Sequence, residues 1–270
     1  MDRLTRIEHA DDPRIATYLN IRDRELVGKA NCFIAEGSVV LRKLLGSRAY
    51  QPQSALLLEN RVAGLQDVVT EMCERQLPVF VASRGVIDAI AGFHMHRGVL
   101  AAGATIEPAS PSDILAQLPE QATVVVCIGI ANHDNIGAIF RNAAGLGADA
   151  VLYDRTCCNP LYRKSIRVSV GSVFDMPHAC FENPDQLRAT LAHHGFTQLA
   201  LTPSGLTELS ELPVSKKTAL YLGTEGHGLP QSILDNLQGT RIDMPSGFDS
   251  LNVAAASAIA LYHLRLKQIS

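Results

Sequence analysis

Six short runs in the second half of the chain are rich in Val, Ile and Leu: TVVVCIGI (123–130), AVLYD (150–154), HACFE (178–182), TQLALT (197–202), TALYLG (218–223) and TRIDM (240–244). Between them lie helical stretches such as IGAIFRNAAGLG and PDQLRATLAHHG, with Gly147 and Gly195 placed as helix stops. Apolar strands without alternation are buried on both faces, and strands separated by helices pair in parallel. The pattern predicts an α/β domain with a doubly wound parallel sheet, closed by a long Ala-rich helix from Asn252 to Lys267.

The first half alternates on a smaller scale. CFIA (32–35), SALLLEN (54–60), VFVAS (79–83) and VLAAGAT (99–105) read as strands, with helical patterns between them, and the alternation again predicts parallel pairing. Residues 106–121 carry Pro108, Pro111 and Pro119 and read as a linker with at most a short helical turn. The expected organisation is therefore a smaller α/β domain at 1–105, a linker at 106–121 and a larger domain at 122–270.

A chain of 270 residues with 47% apolar residues builds a real core, which excludes a disordered or fibrous protein. A net charge of −3 excludes nucleic-acid binding by bulk charge, though not by a local basic patch. The longest apolar stretch, Val124 to Ala131, is far short of the roughly 20 residues that span a bilayer, and no signal peptide is visible, so a cytoplasmic protein without membrane association is expected. The six cysteines (Cys32, Cys73, Cys127, Cys157, Cys158 and Cys180) contain no CxxC spacing and read as free thiols.

Ligands of open α/β sheets sit at the carboxyl ends of the strands. Three loops there are chemically unusual. The first holds Asn132, Asp134 and Asn135 before a helix, which helix capping alone explains, followed by Arg141 among Ile139, Phe140, Ala143 and Ala144, where a charge needs a partner or ligand. The second, LYLGTEGHGLP, places Glu225 among Gly223, Gly226 and Gly228, glycines that permit close backbone approach to a ligand. Its G-x-x-G-x-G is neither the dinucleotide fingerprint nor a phosphate loop, which disfavours a nucleotide-dependent oxidoreductase. In the third, Ser250 reads as an N-cap of the closing helix, which leaves Asn252 unexplained.

Together NHDNIGAIFRNA, YLGTEGHGL and IDMPSGFDSLNVAAA, in that order, resemble motifs 1 to 3 of the SpoU/TrmH branch of the SPOUT methyltransferases, over residues ~120–268. The family consists of RNA ribose 2′-O-methyltransferases that use S-adenosylmethionine. The resemblance implies a catalytic domain with a trefoil knot, an exception to unknotted chains. NIRDREL (20–26), FIAEGSVVLRKLL (33–45) and HRGVLA (96–101) are similar to the L30e-like RNA-binding domain that often precedes it. The carried-over catalytic set is Asn135, Arg141, Glu225, Ser250 and Asn252, with Arg141 as the catalytic arginine held by a substrate phosphate. Leu222, Gly223, Thr224, Gly226, Ile242, Met244 and Leu251 would hold the methyl donor, and no metal is implied. An arginine is an ordinary base only above pH ~12, so its role rests on the resemblance. His133 stands where the family often has proline, Ala254 where it often has serine, and Asp249 where glutamate is common.

The expected substrate is structured RNA, tRNA or rRNA; the alternative is an RNA-binding protein that keeps the fold without catalysis. Arg155, Arg163, Lys164 and Arg167 read as a phosphate-contacting patch, and Arg22, Arg24, Lys29, Arg42, Lys43 and Arg48 raise the same question in the first half. His94, His96, His193 and His194 lack companions at metal spacing, and Cys157-Cys158 reads as packing thiols. The resemblance also implies a homodimer. Ala254, Ala255, Ala256, Ala258 and Ala260 lie on more than one helical face, so neighbours can approach from two sides, with Ala256 and Ala260 as expected interface positions.

Overall fold

The structure, a computed structural model, describes residues 4–19, 27, 31–91, 97–245 and 249–269. The readings placed on Arg22, Arg24, Lys29, His94, His96 and the 20–26 motif lie outside these residues. The chain forms two compact units: Met1–Glu107 together with Leu161–Phe174, and Pro108–Pro160 together with Asp175–Ser270.

The first unit is built on five strands, β1 (Leu4–Ile7), β2 (Cys32–Glu36), β3 (Tyr50–Leu58), β4 (Val79–Ala82) and β5 (Val99–Thr105), in the order β1-β4-β3-β5-β2. β4 is parallel to β1 and β3, but β5 is antiparallel to both β2 and β3, so the sheet is mixed rather than parallel. Alternation of strands with helices says that strands are separated, not which way each later one runs. Here Gly98, at φ +62, turns the chain beside the end of β3, where its carbonyl accepts the Leu58 N–H at 2.8 Å. β3 starts before the apolar run because Pro52, which has no N–H to donate, is absorbed where the register with β5 shifts between Pro52 and Ser54. Ile7, Ile15, Ile34, Leu56, Phe80, Ile87 and Leu100 form the core on one side of the sheet.

The segment Leu161–Phe174 follows a strand of the second unit in sequence, yet it completes the first. Ile166 and Phe174 are buried, and Phe174 packs its ring against Phe33 and Tyr50 at 5.3 and 5.2 Å. Arg167 on the short helix Arg163–Val168 pairs with the buried Glu36 carboxylate at 3.3 Å. The compact division therefore departs from the contiguous 122–270 domain read from the sequence.

The second unit has seven strands, all parallel: β6 (Ala122–Cys127), β7 (Ala150–Asp154), β8 (His178–Phe181), β9 (Thr197–Leu201), β10 (Thr207–Glu208), β11 (Lys217–Leu222) and β12 (Gln238–Arg241). Their order is β10-β12-β9-β11-β6-β7-β8. The six expected strands are present, and β10 is a two-residue edge strand too short to leave a pattern. Val124, Val125 and Val126 are fully buried, as burial on both faces requires. Gly147 (φ +80) and Gly195 (φ +78) do stop the helices His133–Leu146 and Pro184–His193.

The expected linker is not one. Pro111 opens a helix, Pro111–Gln117, behind a capping box of Ser110 and Asp113, and its Ile114 and Leu115 enter the core of the second unit. Proline at the first helical position loses no hydrogen bond and is pre-set for helix, so the feature read as a break is a start signal. The closing helix, Val253–Ile269, packs along His133–Leu146. No helix among the described residues is long and apolar enough to cross a membrane.

Candidate active site

Because every strand of the second sheet runs the same way, the loops after β6, β9, β11 and β12 gather at one edge. Asp154, the last residue of β7, organises the first of them. Its carboxylate accepts the N–H groups of Gly129 (3.2 Å), Thr156 (3.1 Å) and Cys157 (2.9 Å). Ile130 N–H donates to Cys157 Sγ at 3.2 Å, and Cys158 N–H donates to the Ile130 carbonyl at 2.8 Å. Gly129, at φ +69, admits only glycine, since a Cβ there would stand 2.6 Å from Thr224 Cγ2 of the loop after β11.

Asn132 caps the following helix, accepting the Asp134 N–H at 2.8 Å, as the capping reading required. Asn135 does something else. Its side chain is buried, its Nδ2 donates to Glu225 Oε1, and its Oδ1 accepts from Asn252 Nδ2 at 3.0 Å. Asn252 Oδ1 in turn accepts the N–H groups of Ala254 (2.9 Å) and Ala255 (3.3 Å). Asn252, not Ser250, is therefore the cap of the closing helix. The chain Glu225–Asn135–Asn252–helix N-terminus ties all three loops, and each amide's orientation is set by its neighbours.

Two turns of helix separate Asn135 from Asn142, which faces the same neighbour: its Nδ2 donates to the Ala254 carbonyl (2.7 Å) and to Ser257 Oγ (3.0 Å). The i, i+7 spacing of the two asparagines is visible in the sequence, but the reading above did not use it. Arg141 lies one residue round the helix from Asn142. It is exposed on the same stripe as Asp134, and no hydrogen bond or ion pair holds it among the described residues. The expectation that an apolar setting would demand a partner for Arg141 is corrected accordingly: Ile139, Phe140 and Ala143 face inward, and the guanidinium faces solvent.

Beside this network is a cavity of about 400 Å³. Leu222, Gly223, Thr224, Gly226, Ile242, Met244 and Leu251 all line it, with Glu225 and Ser250; Asn135, Arg141 and Asn252 do not. The sequence reading missed Thr202, Pro203 and Ser204, which follow β9 and form another wall. The signal was available, since the loop leaves a carboxyl strand end like the other three. The glycines also differ from expectation. A Cβ on Gly223 would stand 2.3 Å from the Gly228 and Leu229 backbone, where the loop closes through reciprocal Thr224–Gly228 hydrogen bonds of 3.1 Å. Gly228 takes φ +69, and Gly226 has open space. Gly223 and Gly228 are thus required by the loop's own fold, before any ligand arrives.

Burial pushes the Cys127 and Cys157 thiols up, so both are neutral packing groups, and all six cysteines are free. His178, its ring edge-on to Phe140 at 5.1 Å, is pushed down to about 4 by desolvation and is neutral. The four cations read together as a patch fall in both compact units. Arg155 in the second unit is ion-paired with Glu182, whereas Arg163, Lys164 and Arg167 belong to the segment in the first. Arg42 is bound to Asp67 at 2.8 Å, and the Lys43 stem packs over Gly171.

The model of the SpoU rRNA methylase family matches residues 122–262. An uncharacterised tRNA/rRNA methyltransferase of Mycobacterium tuberculosis is 39% identical over 263 residues, covering 93% of this chain and 88% of its own. Among solved structures, an AdoMet-bound rRNA methyltransferase from Sinorhizobium meliloti superposes with a TM-score of 0.82 at 22% identity, over 99% of this chain and 100% of that one. A protein described as an RNA 2′-O ribose methyltransferase gives 0.75 at 24% identity, over 98% and 100%. The chain belongs to the SpoU rRNA methylase family.

Proposed function

We propose that the protein methylates a ribose 2′-oxygen in structured RNA, tRNA or rRNA, with S-adenosylmethionine as the methyl donor. The observation that carries this reading is the Glu225–Asn135–Asn252 network, which holds three loops together at the edge of a cavity of mixed polar and apolar lining in a member of this family. The cavity fits the donor. Leu222, Ile242, Met244 and Leu251 present apolar surface for an adenine and a thioether chain, and the closed turn from Thr224 to Gly228 exposes backbone groups beside them. The bound donor supplies a methyl group already activated on a sulfonium, so the protein's own task is positioning and proton removal.

Each residue then has a part. Arg141, exposed and without a partner among the described residues, grips a substrate phosphate and sets the ribose in place. Ser250 and Glu225, on the cavity wall, face the incoming hydroxyl. Asn135 and Asn252 are positioning residues: their amides are consumed in orienting Glu225 and starting the closing helix. The first unit serves as the L30e-like RNA-binding domain. The late strand β11, paired with β6, and the closing helix packed on His133–Leu146 are read as the family's trefoil knot.

The homodimer also belongs to this proposal, on a revised face. Ala260 is fully buried and Ala256 lines the cavity, so neither offers an interface. Ala255, Ile259, Tyr262 and Leu266 instead form an exposed apolar stripe at 255, 259, 262 and 266, the spacing of one helical face. Ile259→Asp is expected to give a monomer by light scattering; a dimer of unchanged stability would reject this face.

The test of the reaction is incubation with methyl-labelled donor and, separately, total tRNA and total rRNA. A 2′-O-methyl blocks attack by that oxygen on the adjacent phosphate, so label should appear in alkali-resistant dinucleotides. Label in single nucleotides after complete alkaline hydrolysis would place the methyl on a base and overturn the reading.

A further inference from the structure

Methyl transfer to a hydroxyl releases a proton, and the parts given to Arg141, Glu225 and Ser250 leave that proton without an acceptor. An acceptor works best when its ordinary protonation range lies near the working pH. Arg141 does not line the cavity, and an arginine keeps its proton below about pH 12. Three titratable side chains do line it, Glu225, His227 and Asp249, with no lysine or arginine among the described lining residues. Glu225 Oε1 already accepts from Asn135 Nδ2, and carboxylates as a class bind protons only below about pH 5. Histidine is the residue type whose ordinary range lies near neutrality.

His227 is also held in the way this task needs. Its N–H donates to Thr224 Oγ1 at 3.1 Å, inside the turn that the reciprocal Thr224–Gly228 hydrogen bonds close. The backbone that carries the ring is thereby fixed at the cavity wall. The residue itself is exposed, and no hydrogen bond, ion pair or ring contact engages its imidazole among the described residues. A ring that is anchored but unengaged can take a proton at the cavity and give it up to water. The other titratable groups near it come from three elements. Glu225 shares its turn, and Asp249 stands on the loop after β12. The helix His133–Leu146, tied to the turn through Asn135 and Glu225, begins with His133 and Asp134. The wall after β9 adds the hydroxyls of Thr202 and Ser204 but no charge.

We propose that His227 is the proton acceptor of the methyl transfer. This rests on the ribose-methylating reading and adds a catalytic residue to it. As the ribose oxygen bonds to the methyl carbon, the carbon–sulfur bond breaks with its electron pair left on sulfur. The hydroxyl proton passes to the unprotonated ring nitrogen of His227 and then to water.

The experiment uses the full chain, unmodified and with His227→Gln or His227→Ala; the residue is exposed, so neither change should disturb the fold. Single-turnover methyl transfer is followed between about pH 5 and 8 on whichever of total tRNA and total rRNA the unmodified protein methylates. The unmodified rate should rise with pH and then level off. Both variants should be slower by about 100-fold at that plateau and should lose the levelling. Imidazole in solution should restore activity to His227→Ala, which a merely structural residue would not show. Donor affinity by calorimetry and RNA affinity by filter binding should be unchanged. In the unmodified protein, the ring-proton resonance that disappears in His227→Gln should move when donor is added, a readout that needs no turnover. A resonance that stays in place, or a His227→Gln profile that keeps the unmodified shape, overturns the assignment while leaving ribose methylation intact. Lost donor affinity in both variants would make His227 a binding residue and equally reject it as the acceptor. If the unmodified protein methylates neither pool, or places the methyl on a base, the reading beneath falls and takes this one with it.

Discussion

The two hollows of this protein are built from opposite materials. The cavity of the second unit is lined by Leu222, Ile242, Met244 and Leu251 on loops whose polar groups bond mainly to one another, as in Thr224–Gly228 and Asn135–Glu225. The hollow of the first unit has a floor of Val40, Leu65 and Val99, with Ser38, Asn60, Arg61 and Arg97 around it. A site whose hydrogen bonds are satisfied internally selects by shape and holds reacting groups still. A hollow edged by arginines carries a positive field that salt screens. The contrast is between a cavity built from internally bonded loops and a hollow edged by cations, and each half of it can be broken.

The largest effect should come from Gly223→Ala. A methyl group 2.3 Å from backbone atoms forces the Thr224–Gly228 turn open, so donor affinity should fall at least 100-fold by calorimetry, with RNA binding retained. Donor binding within threefold of the unmodified protein would show that the turn does not shape the cavity. Asn135→Ala comes next. It releases the exposed Glu225 and Asn252 from the orientation Asn135 gives them, so kcat should fall about 10- to 100-fold while donor affinity moves little. A change confined to KM for the donor would assign Asn135 to binding rather than positioning.

Glu36→Gln tests the other side. It leaves Arg167 against a neutral amide and should lower the stability of the first unit by about 1–3 kcal/mol, read as a lower Tm, with donor affinity unaffected. The smallest effect is on pH dependence. His178 has a value near 4 in the folded chain, below its ordinary 6.5, so the folded state favours the neutral ring. Its contribution is fully present above pH 6.5 and is lost as pH falls through 4. Protonation disturbs Phe140 on the helix that carries Asn135, so acid should weaken the second unit. A Tm-against-pH slope between 6.5 and 4 that is identical in His178→Phe would remove His178 from the explanation.

Much of the second unit was legible because its information is local. Buried Val runs mark strands, Gly147 and Gly195 mark stops, and Asn, Glu and Gly clustered at strand ends marked three of the four loops at the site's edge, two of which line the cavity. The fourth, Thr202-Pro203-Ser204, was passed over because its residue types are those of any turn. Pro111 was misread because proline both ends and begins helices, and only the Ser110–Asp113 pairing distinguishes them. That Asn252 rather than Ser250 caps the closing helix depends on where the chain turns, which residue type alone does not specify. The direction of β5 and the place of Leu161–Phe174 depend on contacts between residues far apart in sequence, and no local pattern encodes these.

That displaced segment bears on how the protein is made. The first unit cannot seal its core around Phe33 and Tyr50 until Phe174 has been synthesised, well after Glu107 has left the ribosome's active centre. At about 5–20 residues per second, the nascent N-terminal portion waits several seconds with an aromatic face uncovered. Both units must then mature together, since the chain enters the first, leaves it, returns and leaves again. A gene fragment ending near residue 110 would yield a portion with an open seam, and one starting there would carry Ile166 and Phe174 with nothing to cover them.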